Sequence, residues 1–327
     1  MSKITLASFF AGVGGIDLGF EQTGEFVTIY ANEFDKFPAM TMEENFNRLK
    51  VDTRDIHEVK AIELPDFDVM LAGFPCQAFS IAGYRQGFDD EKGRGNLFFE
   101  LTRIMEEKRP RVAFFENVKN LVAHDNGNTF RVICEQLDLL GYKYSYQVLN
   151  AMTYGNVAQN RERIYIVAFR DSDDYERFRW PLSIPLTKTV RDIIDFSSCE
   201  DEKYYYTPGK YKGDIYEQLC DAMKHDDPLN PAIYQWRRKY VRQNKSGVVP
   251  TLTANQGEGG HNVCLIKTDD GRIRKMTPRE CFNAQGFPKD FKLPDDLRDS
   301  KLYKQAGNSV CVTVINRIAK EIAKALG

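Results

Sequence analysis

ITLASFFAGVGGIDLGFEQTGEFVTIYAN, residues 4–32, decides the fold. ITLASFF (4–10) reads as a strand, GGIDLGFEQTG as a helix that ends at Gly24, and FVTIYAN (26–32) as a second strand. A strand, a glycine turn, a helix and a strand make a βαβ unit, and such units build parallel sheets. Working outward, a helix is expected from about Asp35 to Phe46, and DVMLAG (68–73) is a nearly all-apolar strand, as in a sheet covered on both faces. NLFFELTRIMEEK reads as a helix, RVAFFE (111–116) as a strand, and Thr129, Phe130, Ile133, Cys134, Leu137 and Leu140 recur at helical spacing. Cys134 on that face is core packing. YKYSYQVLNA and RIYIVAF add two more strands.

Beyond Phe169 the pattern changes. Residues 171–272 are rich in Tyr, Asp, Lys and Pro without a sustained period, which predicts a separate, irregular small domain. Order returns at TPRECFNAQGF, a short helix behind an N-cap threonine, Thr277, and an N1 proline. A last helix, about 309–325, puts Cys311, Ile315, Ile318, Ala319 and Ile322 on one face.

A chain of 327 residues can bury a sizeable core and hold a large domain plus a smaller one. No stretch approaches the roughly 20 apolar residues of a membrane span, and MSKITLASFF lacks the long apolar core of a signal peptide, so a cytoplasmic protein is expected. Seven widely spaced cysteines without a CxxC pair point to reduced thiols and no structural metal. The net charge of −2 gives no general pull on nucleic acid. Basic charge is instead local: QWRRKYVRQNK (235–245) carries Arg237, Arg238, Lys239, Arg242 and Lys245, two aromatics and no acid. It is either a solvated basic helix face or a phosphate-contacting surface.

Several residues fall at the carboxyl edge of the expected sheet, where open α/β folds bind ligands. FAGVGG (10–15) lets backbone N–H groups approach a ligand, but Asp17 stands where the dinucleotide fingerprint needs its third glycine, so a nucleotide-like ligand without pyrophosphate fits better. Glu33 ends the second strand, where an acid commonly takes ribose hydroxyls; a solvated strand-end glutamate is the equal alternative. Asp55, in the loop before the third strand, could reach an adenine amino group, and alone it is a weak signal.

AGFPCQAFSIAG (72–83) places Cys76 past an apolar run, behind Pro75, which fixes φ and removes a donor. That placement suits a nucleophile better than a packed thiol. None of the four histidines makes an evident Cys/His dyad, so arginines are the better activators. FFENVKN (114–120) brings Glu116 to the same edge, and Arg161 and Arg163 of QNRERIYIVAF share one face at period two. A strand-end cap for Glu116 and surface positions for the arginines are the bland alternatives.

Taken together the residues resemble the C5-cytosine DNA methyltransferase family of the bacterial restriction-modification type. FAGVGG, NEFDK, GFPCQAFS, ENVKN, QNRER, a variable segment, MTPRECFNAQGFP and YKQAGNSV stand in the family's order over nearly the whole chain. The resemblance implies an α/β fold with a doubly wound, mostly parallel sheet that binds S-adenosylmethionine, and a second, smaller, irregular DNA-recognition domain. The implied boundaries are a catalytic and cofactor-binding domain over 1–172, a target-recognition domain over 173–272, and a return segment over 273–327. Phe10 would flank the adenine, with Val13 and Gly15 on the methionine side. Glu33 would hold the ribose, Phe34 would lie beside the adenine, and Asp55 and Ile56 would read its edge. Pro75 and Cys76 become the catalytic turn, Glu116 the acid, Arg161 and Arg163 the clamp near the cytosine, and Asn308 part of the joint pocket.

The implied chemistry is thiolate addition of Cys76 at cytosine C6, which carries electron density to C5, with Glu116 at N3 and the exocyclic amine and Arg163 at O2. The base must be flipped out of its duplex. The loop carrying Gly83, Gly87, Gly93 and Gly95 would close over it. Thr251-Leu252 matches a short recognition signature, Asn255, Gln256 and His261 are candidate base readers, and the 235–245 run is the expected phosphate surface. Double-stranded DNA is the implied partner, with a monomeric enzyme and a cognate restriction endonuclease acting on the same site. A tRNA cytosine-C5 methyltransferase is the alternative, and the long recognition segment argues against it. A cysteine hydrolase is disfavoured by the missing histidine. A catalytically dead DNA-binding relative is disfavoured because no residue needed for chemistry is replaced.

Overall fold

The computed structural model describes residues 3–75, 97–197, 200–211, 213–237, 239–256 and 262–327. Two compact units emerge: Met1–Leu149 with Glu162–Leu182 and Val314–Gly327, and Asn150–Arg161 with Ser183–Thr313.

Along the first part of the chain run β1 (Ile4–Phe9), α1 (Gly15–Glu21), β2 (Phe26–Asn32), α2 (Lys36–Asn45), β3 (Val69–Ala72), α3 (Leu97–Lys108), β4 (Val112–Val118), α4 (Asn128–Leu139) and β5 (Lys143–Asn150). The short α5 (Ala151–Gly155) and β6 (Gln159–Asn160) belong to the second unit. The chain then returns to the first through β7 (Glu162–Phe169) and α6 (Ser172–Arg177). The sheet order is β2-β1-β3-β4-β7-β5. β1 pairs in parallel with β2 and β3, β3 pairs in parallel with β4, and β7 runs antiparallel to β4.

The chain leaves β1 first to one side and then to the other. This switch point opens a crevice at the carboxyl ends of β1 to β3, the usual ligand site of such sheets. Strands buried on both faces explain the continuous apolar runs: every residue of β3 and all but the last of β4 are buried. Met70, Ala72, Phe98, Leu101, Phe115 and Ile133 belong to one core cluster, with Cys134 packed at its margin. The helices follow their signals. Asp35 caps α2 by accepting from Phe37 N at 3.1 Å.

In the second unit follow β8 (Tyr205–Tyr206), α7 (Ile215–Ala222), β9 (Ile233–Trp236), β10 (Val241–Asn244), β11 (Val249–Pro250), β12 (Leu265–Lys267), β13 (Ile273–Lys275), α8 (Pro278–Asn283) and α9 (Asp299–Asn308). Five of the strands form a sheet in the order β10-β9-β12-β13-β8, with every neighbouring pair antiparallel. The stretch that shows no period in sequence thus holds a sheet. Its strands are two to four residues long, too short for alternation to register.

Among its described residues the basic run at 235–245 falls on β9 and β10 and the connection between them rather than on a helix, with Val241 opposite Trp236. Thr277 caps α8 in a full capping box with Glu280 behind Pro278. Residues 273–313 lie in the second unit, and 314–327 return to the first within α10 (Val312–Leu326), where Ile315, Ile318, Ala319 and Ile322 are each fully buried. Among the described residues no helix is long and apolar enough to cross a membrane.

Candidate active site

The first unit gathers its candidate residues where β1, β2, β3 and β4 end. Behind β1 the chain turns sharply: Phe10 has φ of 54°, and Gly12 and Gly14 have φ of 59° and 80°. A Cβ on Gly14 would stand 2.6 Å from Phe46, so the turn is shut on that side, whereas one on Gly12 would meet nothing within 4 Å. Val13 and Gly15 are buried beneath the turn. Glu33, just past β2, accepts Gly12 N–H on one carboxylate oxygen and Asp35 N–H on the other, each at 2.8 Å. Its carboxylate ties the glycine turn to the start of α2. Phe34 beside it is 70% exposed, a large apolar ring left in water next to an open glycine.

Asp55 caps the turn 56–58, accepting from His57 N at 3.1 Å with His57 Nδ1 at 2.5 Å. The His57 backbone N–H, then its ring, hold the carboxyl below the usual carboxylate range. Ile56 is buried.

Glu116 extends from β4, is 8% exposed, and pairs with Arg163 Nε at 3.1 Å. The pairing has a simple origin. Glu116 lies opposite Tyr165 in the antiparallel ladder, so Arg163, two residues along, stands on the same face. In the parallel ladder Ala72 lies opposite Phe115, which sets Gly73 beside Glu116; a Cβ on Gly73 would come within 3.8 Å of Glu116 Oε2. Asn117, which composition alone does not single out, donates Nδ2 to Phe74 O at 2.8 Å and ties β4 to the exposed Pro75 turn. Its signal in the sequence is its place directly after Glu116 in ENVKN. Cys76 and the glycine loop after it lie outside the described residues.

In the second unit Arg161 is 2% exposed and donates to the carbonyls of Leu252, Gly307 and Ser309. The two arginines therefore take different partners. Arg161 precedes β7, so the period-two rule does not reach it. Asn308 is exposed at the end of α9, next to Gly307. Thr251 is exposed and Leu252 buried. Asn255 is exposed, whereas Gln256 is 1% exposed, its amide set to donate to Asn262 O at 2.8 Å and accept from Cys264 N at 2.7 Å.

Lys239 and Arg242 are exposed on the hairpin. Arg242 donates to Gln235, and Arg237 to Asn262 Oδ1 at 3.1 Å. Arg238 and His261 lie outside the described residues. Among the described residues no group of three or more His, Cys, Asp or Glu side chains is placed to hold a metal ion.

A family profile described as C-5 cytosine-specific DNA methylase matches residues 4–324. The chain is 58% identical over 324 residues to Type II methyltransferase M.Bsp6I of Bacillus sp. (strain RFL6), covering 99% of each. It is 36% identical over 344 residues to Type II methyltransferase M.HhaI of Haemophilus parahaemolyticus, covering 100% of this chain and 96% of the relative. Among solved structures, a DNMT2 mutant of Spodoptera frugiperda shares the fold with a TM-score of 0.73 at 20% identity, covering 98% of this chain and 99% of that one. With an end-to-end profile match and a relative this similar over its full length, the chain belongs to the C-5 cytosine-specific DNA methylase family.

Proposed function

We propose that the protein transfers a methyl group from S-adenosylmethionine to C5 of a cytosine flipped out of a specific short duplex DNA sequence, through a covalent bond from Cys76 to C6. The observation that carries this reading is the meeting of Glu116, Arg163 and Gly73 at one sheet edge, three residues before Cys76 in the chain. Glu116 would hydrogen-bond N3 and the exocyclic amine and stabilise the charge that the ring develops, and Arg163 would hold Glu116 in place and reach O2. The Cys76 thiolate would add at C6 and pass electron density to C5, which would take the methyl group as the cofactor leaves as its thioether; a base or water would then remove the C5 proton, and the C6–sulfur bond would break to return the thiolate.

The turn at 10–15 fits the cofactor: Gly12 leaves open space where a Cβ would sit, the Glu33 carboxylate stands at its mouth, and the Phe34 ring is exposed beside it. Bound there, S-adenosylmethionine would supply the electrophilic methyl group. Phe10, Val13, Gly15, Asp55, Ile56 and Pro75 would complete that wall, with Asn308 shaping the pocket toward the substrate. The second unit would read the target, with Arg237, Arg238, Lys239 and Arg242 on phosphates and Thr251, Asn255 and His261 toward the bases, while Gln256, expected among the readers, is buried with its amide on Asn262 and Cys264. The type II names of its relatives support a place in a restriction-modification system. A partner endonuclease at the same site and a monomeric enzyme acting in the cytoplasm complete the proposal.

The test is methyl transfer from tritiated cofactor to duplex DNA and, in parallel, to tRNA. Label in DNA that disappears with Cys76→Ser supports the reading; label confined to tRNA overturns it.

A further inference from the structure

Four separate segments of the second unit meet around side chains with almost no solvent contact. Gln159 and Gln285 are fully buried and Arg161 is 2% exposed. Gln159 Oε1 accepts Leu252 N–H at 3.3 Å, while its Nε2 donates to Ala284 O and, at 3.3 Å, to Gln285 Oε1. Gln285 Nε2 goes on to Ala306 O at 2.8 Å. Arg161 Nη1 takes Leu252 O at 3.0 Å, and Nη2 takes Gly307 O at 3.2 Å and Ser309 O. Both backbone groups of Leu252 are thus satisfied by side chains from the QNRER segment.

The backbones themselves touch. A Cβ on Gly307 would fall 2.2 Å from the Thr253 carbonyl and 2.5 Å from Ala254 N, so the turn at 306–309 lies directly on 252–254. Beside them β11 pairs in parallel with β6, and Thr251 Oγ1 donates to Asn160 O at 2.6 Å.

A guanidinium this buried, donating to the carbonyls of three residues, is a costly choice for packing alone. A planar fork of donors has one property no aliphatic chain offers: it fixes several carbonyls from different segments at once.

We propose that Arg161, with Gln159, is a positioning residue for target selection. The pair, of which Arg161 stands two residues before Arg163 in the chain, holds the Thr251–Ala254 backbone in one register against the end of α9 that carries Asn308. Arg161 does not touch the cytosine; it determines which cytosine is presented.

This rests on the methyltransferase reading above, and the experiment separates the two. Wild-type protein, Arg161→Lys and Gln159→Asn are expressed in a host free of cytosine methylation, and methylated positions are mapped by bisulfite sequencing. Binding of S-adenosylhomocysteine and thermal unfolding are measured on each purified protein. Wild type should mark one short sequence. Both variants should fold and bind S-adenosylhomocysteine within about threefold of wild type, while the ratio of near-cognate to cognate methylation rises about tenfold, the scale of one mismatched base pair.

If methylation falls in both variants with that ratio unchanged, Arg161 acts on the base itself and the proposal is wrong. An unchanged ratio at unchanged activity also overturns it. Should Arg161→Lys fail to fold, Gln159→Asn alone decides by the same ratio. Failure of wild type to mark DNA at all would defeat the functional reading instead.

Discussion

Glu280→Ala should unfold the second unit far more readily than its size suggests. The carboxylate is 5% exposed and the Arg274 side chain facing it 0% exposed, and the two form a bidentate pair at 2.7 and 2.8 Å. The same carboxylate accepts Thr277 N–H at 2.8 Å, closing the capping box of α8, and Asp195 N–H at 3.3 Å. Arg274 in turn donates to Asp195 O at 3.0 Å. Truncating Glu280 leaves a fully buried guanidinium without this carboxylate and two backbone N–H groups, of Thr277 and Asp195, short of a partner. Breaking a buried pair from one side costs about 3–5 kcal/mol.

At roughly 2–4 °C per kcal/mol for a domain of this class, the melting transition should fall by about 6–20 °C. Urea denaturation followed by far-UV circular dichroism, with matched slopes, gives the free-energy difference directly. Replacing both partners, Arg274→Met with Glu280→Leu, should recover most of the loss, because an apolar pair has no charge to strand. A single-variant cost below about 1 kcal/mol, or a double variant no better than the single, would refute the reasoning.

Three further outcomes follow from the first unit. Glu33→Ala removes the acceptor of Gly12 and Asp35 N–H groups, and binding of S-adenosylhomocysteine by calorimetry should weaken about 10- to 100-fold, the worth of charge-assisted bonds; a change under threefold would contradict the assigned role. Arg163→Ala strips Glu116 of its 3.1 Å partner and should lower the methyl-transfer rate by about 10²- to 10³-fold with S-adenosylhomocysteine affinity little altered, so a rate within fivefold of wild type counts against it.

Asp17, fully buried and held by Ser8 Oγ at 2.9 Å and Thr28 Oγ1 at 3.2 Å, has its pKa pushed up to about 7, chiefly by burial. Between its ordinary value near 4 and 7 the native state keeps a proton that the unfolded chain has lost, so this residue's contribution to stability falls as pH rises through that window and is level above it. Asp17→Asn should flatten that slope in denaturation series from pH 4 to 8; an unchanged slope would refute it.

The sheet was legible because its strands announce themselves. β2 needed only an apolar run between Gly24 and Asn32, and α2 and α8 only their caps, Asp35 and Thr277. The place of Glu116 at the sheet edge was legible for the same reason, since strand-end residues on neighbouring parallel strands meet at one edge, while Cys76, its expected neighbour, lies outside the described residues. Strands of two to four residues carry no period, which hid β8 to β13. α9 was hidden by its lysines, since only Leu302, Tyr303, Gln305, Ala306 and Gly307 of its residues turn inward. The surroundings of Arg161 were illegible for another reason: its partners lie 91, 146 and 148 residues away, and carbonyl acceptors leave no mark on side-chain chemistry.

The most direct test of the account is bisulfite sequencing of DNA from a methylation-free host that expresses this chain. The account predicts protected cytosines at one short recurring sequence, absent when Cys76→Ser is expressed instead. Fully converted DNA from cells that contain folded wild-type protein would contradict it.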